Sequence, residues 1–128
     1  MNRSAWTIAN GVMLAAFAFS VVVQINDPDP LAWALIYAAA AVACGLELRR
    51  RTRWWWPVVV GAVAVAWGAG LAPRVLGSVP FLSMFEAFEM RDAAIEESRE
   101  MYGLWMIAAW MAAIMVAALR RRSAQGAE

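Results

Sequence analysis

Four long apolar runs divide the chain, at residues 5–24, 31–48, 54–71 and 103–119. A helix that rises about 1.5 Å per residue needs roughly 20 residues to cross about 30 Å of hydrocarbon, and each run approaches or reaches that length. The pattern therefore predicts an all-α integral membrane protein in which residues 1–128 form a single domain with four transmembrane helices.

The first apolar run allows a second interpretation, as a secretory signal peptide. Arg3 gives it a short basic start, and Ala16, Phe17 and Ala18 have the small-x-small form of a cleavage site. The run nevertheless continues past this site to Val23, which is longer than the apolar part of a typical signal peptide and favours a membrane span.

A different pattern covers residues 84–102, where acidic residues recur every three or four positions. On a helix that turns 100° per residue, these residues fall within an arc of about 140°. They are Glu86, Glu89, Asp92, Glu96, Glu97 and Glu100. The spacing predicts an acidic amphipathic helix that lies on the membrane surface or continues into the fourth span, with Gly103 as the bend. Residues 122–128 are expected to be a disordered tail.

The composition supports a membrane location and narrows the chemistry. Hydrophobic residues make up 63% of the chain and charged residues 16%, which is outside the range of ordinary soluble domains. Histidine is absent and Cys44 is the only cysteine, so an intramolecular disulfide is excluded and zinc or haem chemistry is disfavoured. Without a recognisable nucleophile motif, the sequence favours a non-enzymatic function but leaves an enzyme open. Nothing in it indicates a nucleic-acid partner.

Charge placement predicts the orientation of the chain, because short cytoplasmic loops of membrane proteins collect basic residues. If the chain crosses four times, eight of its eleven basic residues fall on one side: Arg3, Arg49, Arg50, Arg51, Arg53, Arg120, Arg121 and Arg122. The other side carries eight acidic and three basic residues, a net charge of −5. Both termini are therefore expected in the cytoplasm. Glu47 lies near the arginines and is expected to pair with Arg50 or Arg51, three or four positions later.

The turn between the first two spans, "QINDPDP", concentrates polar residues on the outer side. Asp29 before Pro30 is the pattern of a helix N-cap followed by a first-turn proline. Asn26 can close an Asx-type turn, and Gln24 ends the first span facing the same surface. Asp27 is left without an obvious local role.

The acidic helix has an unfavourable charge pattern for an isolated surface. Several of its carboxylates lie three or four positions apart, and each like-charge pair costs a few tenths of a kcal/mol in an exposed helix. Three interpretations remain open: a solvated or partner-facing surface, a site for a cation or cationic ligand, and a proton-handling or enzymatic site.

These residues carry a resemblance to a family of small membrane proteins, transmembrane family 220. The resemblance rests on an Asn-Gly pair, a Gln-x-Asn-Asp-Pro-Asp turn followed by Trp and Tyr, and a Glu-Glu-x-Arg-Glu-x-x-Gly-Leu stretch. The matching residues here are Asn10, Gly11, Gln24, Asn26, Asp27, Pro28, Asp29, Trp33, Tyr37, Glu96, Glu97, Arg99, Glu100, Gly103 and Leu104. It implies a helical membrane protein whose core is this chain, and it carries no settled activity.

The resemblance singles out five carboxylates as candidate metal ligands: Asp27, Asp29, Glu96, Glu97 and Glu100. Gln24, Asn26, Tyr37 and Arg99 are the candidate supporting residues. If the turn faces the acidic helix, these groups form an oxygen-rich outer pocket, which suits calcium, magnesium or manganese.

The main alternative is a structural or accessory subunit of a larger membrane complex, or a homo-oligomer, whose acidic helix docks a basic partner. A transporter is a weaker alternative because no span carries a row of ionisable residues. An alanine-rich chain with arginine but no lysine suggests a bacterial inner membrane.

Overall fold

The computed structural model describes residues 2–26, 30–75 and 93–126. Within these ranges the chain forms four helices, α1 (Arg3–Val23, followed by a 3-10 turn at Gln24–Asn26), α2 (Pro30–Leu48), α3 (Trp55–Val75) and α4 (Ala93–Gly126). All four of these helices are long and apolar enough to cross a membrane. The prediction of an all-helical chain with four spans is confirmed at this level.

The helix ends follow from local sequence. Asn2 caps α1, because its side-chain oxygen accepts a hydrogen bond of 2.8 Å from the backbone N–H of Ala5. Pro30 begins α2 and Pro57 lies in the first turn of α3, where the missing N–H of proline costs little. Both prolines are where the sequence places them.

The end of α2 is unusual because Arg50 adopts the left-handed conformation, with φ = 57°. The backbone N–H of Arg50 donates to the carbonyl of Glu47, and that of Arg51 donates to the carbonyl of Leu46, both at 2.9 Å. This is the Schellman arrangement, which normally places glycine in the left-handed position. The left-handed residue redirects the chain after the end of α2 toward α3, which begins at Trp55.

Helix α4 includes the described part of the acidic stretch, the fourth span and most of the predicted tail. It is continuous from Ala93 through Gly103 to Gly126, so the acidic stretch runs straight into the fourth span over the described residues. Residues 84–92, the rest of the predicted acidic helix, lie outside the described residues. The helix also covers residues 122–126, which were expected to be disordered. At 34 residues, or about 51 Å, it is longer than the hydrocarbon layer.

The helices pack mainly as two pairs, α1 with α2 and α3 with α4, and α2 also contacts both members of the second pair. One face of α4 forms a continuous buried seam with residues three or four positions apart. Its members are Met101, Leu104, Ile107, Met111, Ile114 and Ala118. Helix α4 is thus a central element of the described core.

Small residues let α3 approach α4 closely. A Cβ added at Gly61 would lie 3.3 Å from the Cβ of Met111, and one at Gly68 would lie 3.4 Å from the ring of Trp105. On the neighbouring interface, the rings of Trp33 and Trp67 meet with centroids 4.1 Å apart, joining α2 to α3. Close backbone approach therefore holds α3 against α4, and aromatic contact holds α2 against α3.

The tightest glycine contact joins α2 to α4. A Cβ at Gly103 would collide with the hydroxyl oxygen of Tyr37, whereas the next nearest atom, the Cζ carbon of the same ring, would be 3.6 Å away. The Tyr37 hydroxyl therefore occupies the space that any side chain at position 103 would need.

We expect Gly103→Ala to lower the free energy of unfolding by about 1–3 kcal/mol, because the added methyl overpacks this contact. The thermal midpoint in mild detergent measures the effect. Gly45→Ala is the matched control, since no neighbouring atom lies within 4 Å of a Cβ there. Tyr37→Phe should restore stability in the Gly103→Ala background, and a double variant as unstable as Gly103→Ala would contradict the explanation.

Candidate functional site

The predicted outer pocket lies at the end of the bundle where α1 ends and α2 begins. Asp27 and Asp29 lie outside the described residues, as do the side chains of Asn26, Glu96 and Glu97. Gln24 is the C-cap of α1, and its backbone N–H donates to carbonyls of the last turn. Within the described residues, no group of three histidine, cysteine or acidic residues is placed to hold a metal ion.

The described part of this end brings together two of the predicted site residues. Tyr37 of α2 and Glu100 of α4 are close enough for the charge of Glu100 to act on the tyrosine phenol. Both residues are half-buried, and the Tyr37 ring also lies 6.3 Å from the ring of Phe17 on α1. Glu100 and Arg99 each make further interactions. The acidic part of α4 therefore lies beside the α1–α2 pair.

The opposite end contains a polar cluster that the sequence did not predict. Glu47, in the last turn of α2, is 3% exposed. Arg121 of α4 donates two hydrogen bonds to it, at 2.5 and 2.8 Å, one to each carboxylate oxygen. Trp6 of α1 donates to the first oxygen at 3.0 Å, and Thr52 donates to the second at 2.9 Å. One carboxylate thus joins three segments of the chain to α2.

The expected pairing of Glu47 with Arg50 or Arg51 is wrong. Helix α2 ends at Leu48, so positions 50 and 51 no longer lie on the helical face of Glu47. Their backbone N–H groups instead satisfy the last carbonyls of the helix. Arg121 of α4 instead binds both carboxylate oxygens, in the bidentate arrangement that guanidinium geometry favours.

A second buried polar contact lies one turn deeper in the bundle. Asn10 is fully buried, and its amide nitrogen donates to the carbonyl of Cys44 at 2.8 Å. The indole N–H of Trp110 donates to the amide oxygen of Asn10 at 3.0 Å, and the Trp110 ring stacks on Trp6 at 5.3 Å. Trp6 and Asn10 are four positions apart on one face of α1, and this spacing is the sequence signal that could have identified the cluster.

Two of the cavities at this end, among the arginines, have volumes of about 300 Å³ or more. One, of about 640 Å³, lies between α1, α2 and α4 and includes Arg3, Arg50 and Arg120 in its wall. The other, of about 300 Å³, lies between the α2–α3 turn and α4 and shares Arg50 with the first. The described arginine-rich end therefore has room for a ligand beside the Glu47 cluster.

Comparison with known proteins identifies the family. A sequence model described as "Transmembrane family 220, helix" matches residues 16–116, which is well over half of the chain. The chain belongs to transmembrane family 220. The matched range of this family includes Glu47 and Trp110, whereas Asn10 precedes it and Arg121 follows it.

A curated relative agrees with this assignment. The chain is similar to "Transmembrane protein 220" of Xenopus laevis, with 30% identity over 109 residues. The alignment covers 83% of this chain and 56% of the frog protein, so the chain spans about half the length of that relative. No solved structure matches the chain. As a member of transmembrane family 220, the protein is an integral membrane protein.

We expect Arg121→Leu to lower the free energy of unfolding by about 3–5 kcal/mol, because it leaves the buried Glu47 carboxylate without its charged partner. The thermal midpoint in detergent measures the loss. Arg122→Leu removes the same charge from the next, exposed position and is the matched control. Adding Glu47→Leu to Arg121→Leu should recover part of the stability. Equal effects of Arg121→Leu and Arg122→Leu would contradict a role for the ion pair.

Proposed function

We propose that the outer end of this family 220 protein binds a divalent cation through oxygen ligands. The ligands are the carboxylates of Asp27, Asp29, Glu96, Glu97 and Glu100. The observation that supports this site is the position of Tyr37 beside Glu100, because Tyr37 belongs to the helix that begins at the polar turn. Because Tyr37 and Glu100 lie close together, the start of α2 lies near the acidic part of α4.

The chemistry of this proposed site follows from its atoms. Carboxylate, amide and phenol oxygens are hard ligands, which favour calcium, magnesium or manganese over zinc or copper. Gln24, Asn26 and Tyr37 supply neutral oxygens that complete or orient the ligand shell. Arg99 is either the internal counter-ion of the carboxylates or the anchor of an anionic headgroup.

The proposal also includes an orientation. The distribution of basic residues favours both termini on the cytoplasmic side and the carboxylate site on the outer side. The composition favours a bacterial inner membrane, but the similarity to a frog protein gives that location no support.

We expect calcium, magnesium or manganese to raise the thermal midpoint of the detergent-purified protein with a saturable dose dependence. A ligand that binds only the folded state stabilises it by about 2.7 kcal/mol at a concentration 100 times its dissociation constant. Asp27→Asn and Glu100→Gln should each weaken or abolish this stabilisation, because each removes a charged ligand.

Glu89→Gln is the matched control, since it removes one acidic charge from the same stretch but lies outside the family motif. Its cation response should equal that of the unchanged protein. If Glu89→Gln loses the response as fully as Glu100→Gln, the cations bind a diffuse acidic surface. If no cation changes the midpoint, the site does not exist.

The second candidate is a structural or accessory subunit, in which the acidic helix docks a basic partner. A groove of about 430 Å³ between α3 and α4 favours contact with another membrane helix. Small or apolar side chains line it: Pro57, Val58, Gly61, Ala62, Val65, Ala66, Ala108, Met111, Ala112 and Met115. Such surfaces let helix backbones approach closely in lipid.

We expect a subunit of this kind to co-purify in fixed stoichiometry with its complex, or with a second copy, in mild detergent. Ala62→Phe and Ala112→Phe fill the groove from its two sides and should release the partner. Val63→Phe, on an exposed part of the same helix, is the control and should leave the assembly intact. A monodisperse monomer under all extraction conditions would overturn the subunit hypothesis.

A further inference from the structure

The cavity of about 640 Å³ at the arginine-rich end has a charged mouth and an apolar wall. Arg3 at the start of α1, Arg50 after α2 and Arg120 near the end of α4 line the part of the cavity at the helix ends, which we call its mouth. Ala113, Val116 and Ala117 of α4 form an apolar wall further along the cavity, and Leu48 at the end of α2 is a further apolar residue in its lining. The volume lies within the range of about 300–1,000 Å³ that is usual for small-molecule sites.

The change from charged to apolar follows one face of α4. Ala113, Val116 and Arg120 are separated by three and four positions, so they lie on the same side of the helix. Ala113 is about 10 Å deeper along the axis than Arg120. A ligand that fills this cavity must therefore be anionic at one end and apolar over roughly two helical turns.

The charge of the cavity wall is positive. Glu47 is the acidic residue in this wall, and its carboxylate already accepts two hydrogen bonds from Arg121. Arg3, Arg50 and Arg120 therefore face a space in which the acidic group is already neutralised. Three guanidinium groups around one mouth suit a phosphate, which they bind through charge-assisted hydrogen bonds.

The backbone conformation of Arg50 supports a role for its side chain beyond orienting the protein in the membrane. It occupies a left-handed backbone position, with φ = 57°, where glycine would be favoured by about 1 kcal/mol. Arg50 lines the cavity of about 640 Å³ and also its neighbour of about 300 Å³. An arginine in such a position loses backbone stability and gains a guanidinium at the mouth of the cavity.

We propose that this cavity binds one anionic phospholipid, with the lipid phosphate against Arg3, Arg50 and Arg120 and the start of an acyl chain against the apolar face of α4. A free phosphate ion would share the arginine contacts but leave the apolar wall unused. A zwitterionic lipid would place its own cation among the three arginines. The cavity thus fits a phospholipid with net negative charge.

The experiment measures binding of phosphatidylglycerol to the detergent-purified full chain, by native mass spectrometry and by the rise in thermal midpoint. Arg50→Gly should weaken binding about tenfold while the protein stays at least as stable as before, because glycine suits the left-handed position. The double variant Arg3→Gln/Arg120→Gln should lose binding further. Arg49→Gln/Arg51→Gln is the matched control, since it removes two charges from residues outside the cavity.

Equal loss of binding in the two double variants would overturn the proposal, because it would indicate general attraction to a basic surface. Phosphatidylcholine with the same acyl chains should bind at least tenfold more weakly, and equal binding would also overturn it. Inorganic phosphate and glycerol phosphate are the third arm. If they compete at the same concentration as phosphatidylglycerol, the site holds a phosphate ion and the lipid assignment is wrong.

Discussion

The arrangement of the helices depends on the buried carboxylate of Glu47. A charge in a membrane bundle is costly unless it is paired, and Glu47 is paired by donors from α1, the α2–α3 turn and α4. Apolar contacts among helices are weakly directional in lipid, because lipid tails are as apolar as the side chains they replace. The four hydrogen bonds to Glu47 therefore determine how α1 and α4 are placed against α2, more than they add to the total stability.

Asn10 and the tryptophan pair extend this constraint into the bundle. Asn10 connects the backbone of α2 to the indole of Trp110, and Trp110 stacks on Trp6, which also contacts Glu47. Each polar group in this group of contacts has its hydrogen bond satisfied by another helix. Further along the bundle, the contact of Tyr37 with Gly103 also joins α2 to α4. Helix α4 is thus held against α2 at two levels of the bundle, and α3 packs on α4 through close glycine contacts.

The sequence predicts the helices well because their cause is local. Apolar run length indicates four spans, and Pro30 and Pro57 mark the first turns of α2 and α3. The partner of Glu47 could not be predicted, because Arg121 is 74 positions away and eight arginines lie at that end of the bundle. Long-range pairing is decided by helix packing, which residue spacing does not encode. For the outer site, sequence and family motif select the carboxylates, and the described residues place Tyr37 near Glu100.

The two ends of the molecule present the same electrostatic problem with opposite signs. At the arginine-rich end, Glu47 neutralises Arg121, and the sequence offers the other seven arginines only one further acidic residue, Glu128. The sequence assigns eight acidic residues and three arginines to the opposite side. Because charges inside the chain compensate only part of each excess, external ions or headgroups must supply the remainder. Solvent ions can do this without a site, so a specific site requires shape as well as charge. At the arginine-rich end the cavity walls provide that shape, since one face of α4 changes from charged to apolar within two turns.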